Sequence, residues 1–194
     1  LSIFVYFWKD LWNILTEFLQ NNLQKRVKYS EQSINSKLGW MIILGTIPIV
    51  VIGLLFKDMI EGALTKNLYV ISGSLIVLAI ILAVAEKTAK FKKDIEDITL
   101  LDSILIGLAQ AVALIPGSSR SGTTITGGLF LGLKRDVAAR FSFLLSVPAV
   151  LASGMLQLVE SLKYINYDLT VNLIAATIVS AISGYLAIDF LLKF

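Results

Sequence analysis

The stretch Ile98–Leu133 runs ITLLDSILIGLAQAVALIPGSSRSGTTITGGLFLGL: apolar over Ile104–Ile115, broken at Pro116-Gly117, polar to Thr126, then apolar to Leu133. Each apolar arm is about half of the roughly 20 residues that a membrane-crossing helix requires. Two half-length arms around a Pro/Gly/Ser break predict a re-entrant helix pair over 98–133, with its tip near mid-membrane. Irregular backbone at such depth is stable only when buried in protein or lining a wet cavity.

The flanking sequence has the same solvent. Leu38–Phe56 and Leu68–Ala85 are uncharged, Phe141–Leu158 follows Arg140, and Leu169–Leu192 forms a last apolar span interrupted only by Asp189, to which no role is assigned. Pro48 within the first span is tolerable in a membrane helix. Near the start, Leu1–Trp8 resembles the end of a membrane helix, and Leu11–Leu19 an interfacial helix with Trp8 and Trp12 at headgroup level. Of the 194 residues, 56% are hydrophobic and 16% charged, with mean hydropathy +0.80. A soluble domain carries about a quarter charged residues. The expected fold is therefore an all-α integral membrane protein, a polytopic helical bundle forming a single membrane domain over 1–194. Leu1 and Phe194 both lie inside apolar runs, so the chain is expected to be truncated at both ends.

Lys and Arg number four in 20–37, two in 57–67, four in 86–97, three in 134–140 and one in 161–168. Rich and poor connections alternate, as the positive-inside rule demands, provided the 98–133 hairpin returns to the side it entered from. The rich connections are placed in the cytoplasm; the Lys87–Lys93 run is a solvated loop. A net charge of +3 is too small for nucleic-acid binding. The absence of His and Cys removes histidine bases, thiolates and their metal sites from this sequence.

The chemistry gathers in Pro116-Gly117-Ser118-Ser119-Arg120-Ser121-Gly122-Thr123-Thr124, with Gln110 upstream. Arg120 is the sole cation between Lys93 and Lys134. At membrane depth such a charge requires a cavity and a partner, and no carboxylate lies in the cluster. A helix restarting after Gly122 aims free N–H groups at the same place. Hydroxyl donors, a helix N-terminus and a guanidinium fork together describe a phosphate site. By contrast, Ser142, Ser146, Ser153 and Gly127-Gly128 are expected to be close-packing residues.

Those nine residues match every fixed position of PGxSRSxxT, and the chain resembles the undecaprenyl-diphosphate phosphatase family of the bacitracin-resistance type. The resemblance takes in Gly107-Leu108-Ala109-Gln110, Ala113-Leu114, Gly127-Gly128, Phe141–Leu145, Val147-Pro148, Phe7-Trp8-Lys9 and Thr46-Ile47-Pro48, nearly the whole chain. It implies an inverted repeat with two re-entrant hairpins, one of them here, in a multi-pass protein of the bacterial inner (plasma) membrane. The implied activity is hydrolysis of undecaprenyl diphosphate to undecaprenyl phosphate and inorganic phosphate, which recycles the lipid carrier of peptidoglycan synthesis and confers bacitracin resistance. Arg120 and Ser119 take the catalytic roles, with Gly117, Ser118, Ser121, Thr124 and Gln110 around the phosphates. Mg²⁺ or Ca²⁺ is implied as cofactor, held by glutamates of a second motif. That motif reads close to EGLTEFLPVSSTGH; Leu15–Leu19 copies five letters, then Gln20-Asn21-Asn22 departs from it. Glu17 is therefore a decoy, and the metal ligands are expected upstream of Leu1. A polyprenyl diphosphate and the bilayer are the implied partners; a homodimer is left open. Three alternatives stand beside this: a lipid or anion transporter built on the same hairpin, a phosphohistidine lipid phosphatase that the lack of His disfavours, and an inactive fragment.

Overall fold

A computed structural model describes residues 2–56, 60, 62, 67–161 and 167–193. Among the described residues eight α-helices follow in order: α1 Ser2–Tyr6, α2 Trp8–Leu19, α3 Ile34–Leu55, α4 Leu68–Thr88, α5 Leu100–Ala111, α6 Arg120–Phe130, α7 Arg135–Ser161 and α8 Tyr167–Lys193. Four stretches, Ile34–Leu55, Leu68–Thr88, Arg135–Val159 and Val171–Leu192, are long and apolar enough to cross a membrane. They overlap the four spans expected from hydropathy, so the chain is an all-α polytopic membrane protein. Most of the connections at 57–67 and 161–168, including Lys57, Lys66 and Lys163, lie outside the described residues.

Local signals set the helix starts. Ser33 Oγ accepts from Ser36 N to begin α3, and Asn67 accepts from Tyr69 N to begin α4. Thr99 and Asp102 form a reciprocal capping box at the head of α5. Trp8 and Trp12 stack at 5.9 Å on the outer face of α2, 60% and 54% exposed. Between α2 and α3 the polar stretch coils into a π-turn at Gln20–Gln24, closed by an amide network. Gln32 Nε2 and Trp40 Nε1 both donate to Asn22 Oδ1, while Ser36 Oγ donates to Gln32 Oε1. Glu17 accepts from Asn35 at the head of α3, apart from the Arg120 cluster.

α5 and α6 form the hairpin. Lys92 N and Lys93 N donate to Gly132 O, and Lys134 N donates to Lys93 O, so the strands of chain entering and leaving it are bonded together. Ion pairs reinforce this base: Lys93–Asp102 at 2.9 Å, Lys134–Asp94 at 2.6 Å, and Arg135–Glu86, with Arg135 also stacked on Phe91. Arg140 reaches Asp10 of α2 at 2.7 Å. α5 descends alongside α3 in the same direction: Ser103 Oγ donates to Met41 O, Gly107 meets Gly45, and Leu114 meets Gly53. Connections 20–37, 86–97 and 134–140 consequently share one side of the bundle.

The tip goes deeper than expected. The entering arm has twelve α-helical residues and three more in a 3₁₀ turn, Val112–Leu114. At 1.5 and 2.0 Å per residue that reaches about 24 Å, past the middle of a roughly 30 Å hydrocarbon layer. Gly117 accordingly packs on Ile71 and Ser74, in the first two turns of α4. The short returning arm, α6, brings Arg120 back to Leu145, about 15 Å along α7 and near its middle. The mid-membrane element is thus the arginine rather than the loop. α6 also starts at Arg120, three residues before the expected restart after Gly122, because Ser119 supplies the cap.

The α3–α5 contact is closer than side chains permit. A Cβ built on Gly107 would lie 2.1 Å from the carbonyl oxygen of Gly45, a backbone atom. Gly107→Ala is expected to lose about 2 kcal/mol through overpacking, read as a fall in Tm in detergent. Gly154→Ala, where nothing lies within 4 Å, serves as the control and should not lower Tm.

Candidate functional site

Gly117 has φ +87°, and a Cβ there would lie 2.4 Å from Ile71 O, so only glycine lets the tip turn against α4. Ser74 Oγ donates to Pro116 O and ties the tip to the same helix. This makes Gly117 a turn and packing residue. Ser118 is half-buried, and its N–H is used by Ile115 O.

Ser119 is exposed. Its Oγ accepts from Gly122 N at 3.2 Å and lies 3.4 Å from Ser121 Oγ, also exposed. With Gly122 N and Thr123 N both bonded to Ser119, the amides of Arg120 and Ser121 are the free donors heading α6. Thr124 is placed otherwise: 1% exposed, its Oγ1 donates back to Arg120 O and Ser121 O and meets Ser142 Oγ of α7. It staples α6 to α7 rather than facing outward with Ser119 and Ser121. Gly127 and Gly128 pack against Ala109 and Ala138, which is their close-approach role.

The side chain of Arg120 turns inward, between α5 and α7. Nη2 donates to Leu145 O at 3.2 Å and to Gln110 Oε1 at 3.4 Å. Both acceptors are neutral, and among the described residues no ion pair engages Arg120. Arg120 Nε and Gln110 Nε2 are buried with no hydrogen-bond partner among the described residues, and Gln110 is 0% exposed. A buried donor without an acceptor costs about 1–3 kcal/mol. Two such donors beside a positive charge are chemically able to pair with an anion carrying several oxygens.

A family model described as bacitracin resistance protein BacA matches residues 1–194. The chain belongs to that family. The undecaprenyl-diphosphatase of Syntrophobacter fumaroxidans is 52% identical over 193 residues, which cover 100% of this chain and 69% of the relative. Relatives of the same name in Chlorobium phaeovibrioides and Chloroherpeton thalassium are 50% and 48% identical, each over 100% of this chain and 70% of their own length.

The residues present in this chain do not fit a divalent cation. Among the described residues no three His, Cys, Asp or Glu side chains come together. A guanidinium, hydroxyls and an amide are also not the carboxylate-rich oxygen set that Mg²⁺ or Ca²⁺ takes. The contributor that the sequence does not mark is the Leu145 carbonyl, whereas Ser142, expected as a close-packing residue, joins α7 to Thr124 of α6. A backbone carbonyl carries no residue-type signal, so the sequence could not have located the first of these.

Gln110→Leu removes an unpaired donor without opening a cavity. Tm without ligand is expected to hold or rise, while stabilisation by inorganic pyrophosphate is lost, both read by thermal denaturation in detergent. A lowered Tm with the pyrophosphate effect intact would make Gln110 a packing residue.

Proposed function

We propose that the protein hydrolyses undecaprenyl diphosphate to undecaprenyl phosphate and inorganic phosphate in a bacterial plasma membrane. One observation carries this reading: a guanidinium that, among the described residues, is held only by neutral acceptors and lies next to unpaired buried donors, in a chain whose relatives are named undecaprenyl-diphosphatase. That name favours the phosphatase over an anion transporter.

In the net reaction, water adds across the anhydride. Its oxygen bonds the terminal phosphorus, the bond from that phosphorus to the bridging oxygen breaks, and the electron pair leaves with undecaprenyl phosphate. Arg120 binds diphosphate oxygens and offsets the charge that grows as the bond breaks. Ser119 Oγ already accepts from Gly122 N, so its own proton is available to a phosphate oxygen. Ser121 and the two free amides of α6 donate beside it. Gln110 orients the guanidinium through Oε1 and offers Nε2 to the anion. The isoprenoid chain has a fitting neighbour at the tip, an apolar cavity of about 380 Å³ lined by Ile52, Phe56, Leu108, Val112, Ile115 and Pro116.

Phosphate release from a polyprenyl diphosphate tests this reading. Ser119→Ala is expected to lose on the order of a hundredfold in turnover, as removal of a positioned donor does, and Ser118→Ala far less. Equal mild losses would return the cluster to helix packing.

Sidedness has its own test, because the basic connections are assigned to the cytoplasm by charge. Cysteines introduced at Lys90 and Lys134 of this Cys-free chain should resist an impermeant maleimide in intact cells and react after lysis. Labelling of either from outside reverses the orientation.

A further inference from the structure

Ile71, Ser74, Leu78 and Leu82 recur at helical spacing and form a half-buried stripe on α4. Ser74 is the one hydroxyl in it, and its partner is the tip of the hairpin: Oγ donates to Pro116 O at 2.5 Å. That carbonyl belongs to a tight turn. Ser118 N donates to Ile115 O at 3.1 Å, Pro116 and Gly117 are the two central residues, and Gly117 has φ +87°. Proline at the second position and a positive φ at the third make this a type II turn, whereas a type I turn joins the same ends with the central peptide turned over. The peptide between Pro116 and Gly117 thus has two orientations, and only one aims its oxygen at Ser74. A trans peptide is planar with C=O and N–H on opposite sides, so holding Pro116 O against α4 turns Gly117 N–H away from α4. Among the described residues nothing accepts from that N–H. Gly117 and Ser119 are two residues apart, which keeps their Cα atoms within about 7 Å.

We propose that Ser74 is a positioning residue for the anion site: its hydroxyl holds the central peptide of the tip turn in the orientation that keeps Gly117 N–H as a free donor beside Ser119. With the peptide turned over, the Pro116 oxygen would stand where that donor stands and would repel a phosphate. Ser74 Oγ also lies 2.9 Å from Ile71 O of its own helix, an acceptor of the kind that helical serines use. Its single hydrogen would therefore be satisfied without the tip, whereas the Pro116 carbonyl would lose its partner. Irregular backbone at membrane depth must be satisfied by its neighbours, and α4 does so here without bringing a charge. Leu78 backs the same contact one turn further on, 3.3 Å from the position of a Cβ on Gly122. This inference rests on the phosphatase reading for its kinetic consequence, while the orientation of the donor concerns anion binding alone.

Ser74→Ala tests this in the purified protein in detergent, with Ser103→Ala beside it. Ser103 Oγ makes the same kind of bond, to Met41 O, but near the base of the hairpin. Each variant loses one hydroxyl bond between the hairpin and a neighbouring helix, so both are expected to lower Tm slightly. Only Ser74→Ala should lower kcat, about tenfold with KM within about twofold, because a misdirected dipole costs most where charge develops. Ser103→Ala, distant from the tip, should keep kcat within about twofold. Ser74→Thr retains the hydroxyl and should keep kcat within about threefold. Ser74→Cys, similar in size but a weak donor, should fall between threonine and alanine and covers an alanine variant that fails to fold. Equal losses of kcat in Ser74→Ala and Ser103→Ala, or in Ser74→Ala and Ser74→Thr, overturn the inference. Unchanged kcat in folded Ser74→Ala, or in Ser74→Cys where alanine does not fold, does the same. Stabilisation by inorganic pyrophosphate separates the two claims. Its loss in Ser74→Ala but not in Ser103→Ala, in a protein that releases no phosphate from a polyprenyl diphosphate, sinks the phosphatase reading and keeps the positioning role. Full stabilisation of Ser74→Ala sinks the positioning role whatever the activity.

Discussion

A guanidinium near the middle of a membrane bundle, bonded to an amide oxygen and a backbone carbonyl and, among the described residues, to no carboxylate, is the constraint around which this structure is arranged. Such a charge is costly to bury, and the protein meets the cost with dipoles rather than a counter-ion. Nη2 is shared between Gln110 of α5 and Leu145 of α7, so the arginine lies where three helices meet. Its position requires α6 to begin at Arg120, which in turn requires the Ser119 cap and the left-handed turn at Gly117. Each of these is a backbone condition with a named residue meeting it.

Holding α5, α6 and α7 together around that point demands unusual closeness elsewhere. Between membrane helices apolar burial gives little net drive, so packing, small residues and polar bonds carry the association. Gly45 against Gly107, Ser103 donating to Met41 O, and Thr124 meeting Ser142 are the three devices seen. At the basic side the hairpin is clamped differently, by backbone bonds between Lys93 and its neighbours and by Lys93–Asp102 and Lys134–Asp94. Polar anchoring at the surface and glycine contact at depth leave the tip as the part of the hairpin with exposed hydroxyls. Chemistry with a water-borne phosphate group needs that exposure, and a lipid tail needs the apolar cavity on the other side of Pro116.

The depth of the tip separates pattern from geometry. Arm lengths in the sequence were read as symmetrical, so the loop was expected at mid-membrane. Val112–Leu114 instead continues the entering arm as a 3₁₀ turn, which rises faster per residue, whereas α6 is short and starts early. The loop overshoots and the arginine takes the central level. Hydropathy cannot distinguish the two, because apolar residues before Pro116 look the same whether they end a helix or extend it.

What the amino-acid sequence alone determined is the solvent, the number of spans, the return of the hairpin and the identity of its charged centre. Those follow from composition, run length, charge alternation and a motif, all of which are local or additive. Tertiary structure decided which donors of the cluster are usable. Ser119, Ser121 and Thr124 are alike in sequence, yet the first two are exposed and the third is locked against Ser142. It also decided what holds Arg120, since the Leu145 carbonyl leaves no mark in the sequence. The physical reason is common to both: helix periodicity states which face a residue occupies, but only the packing of α5, α6 and α7 states which faces meet.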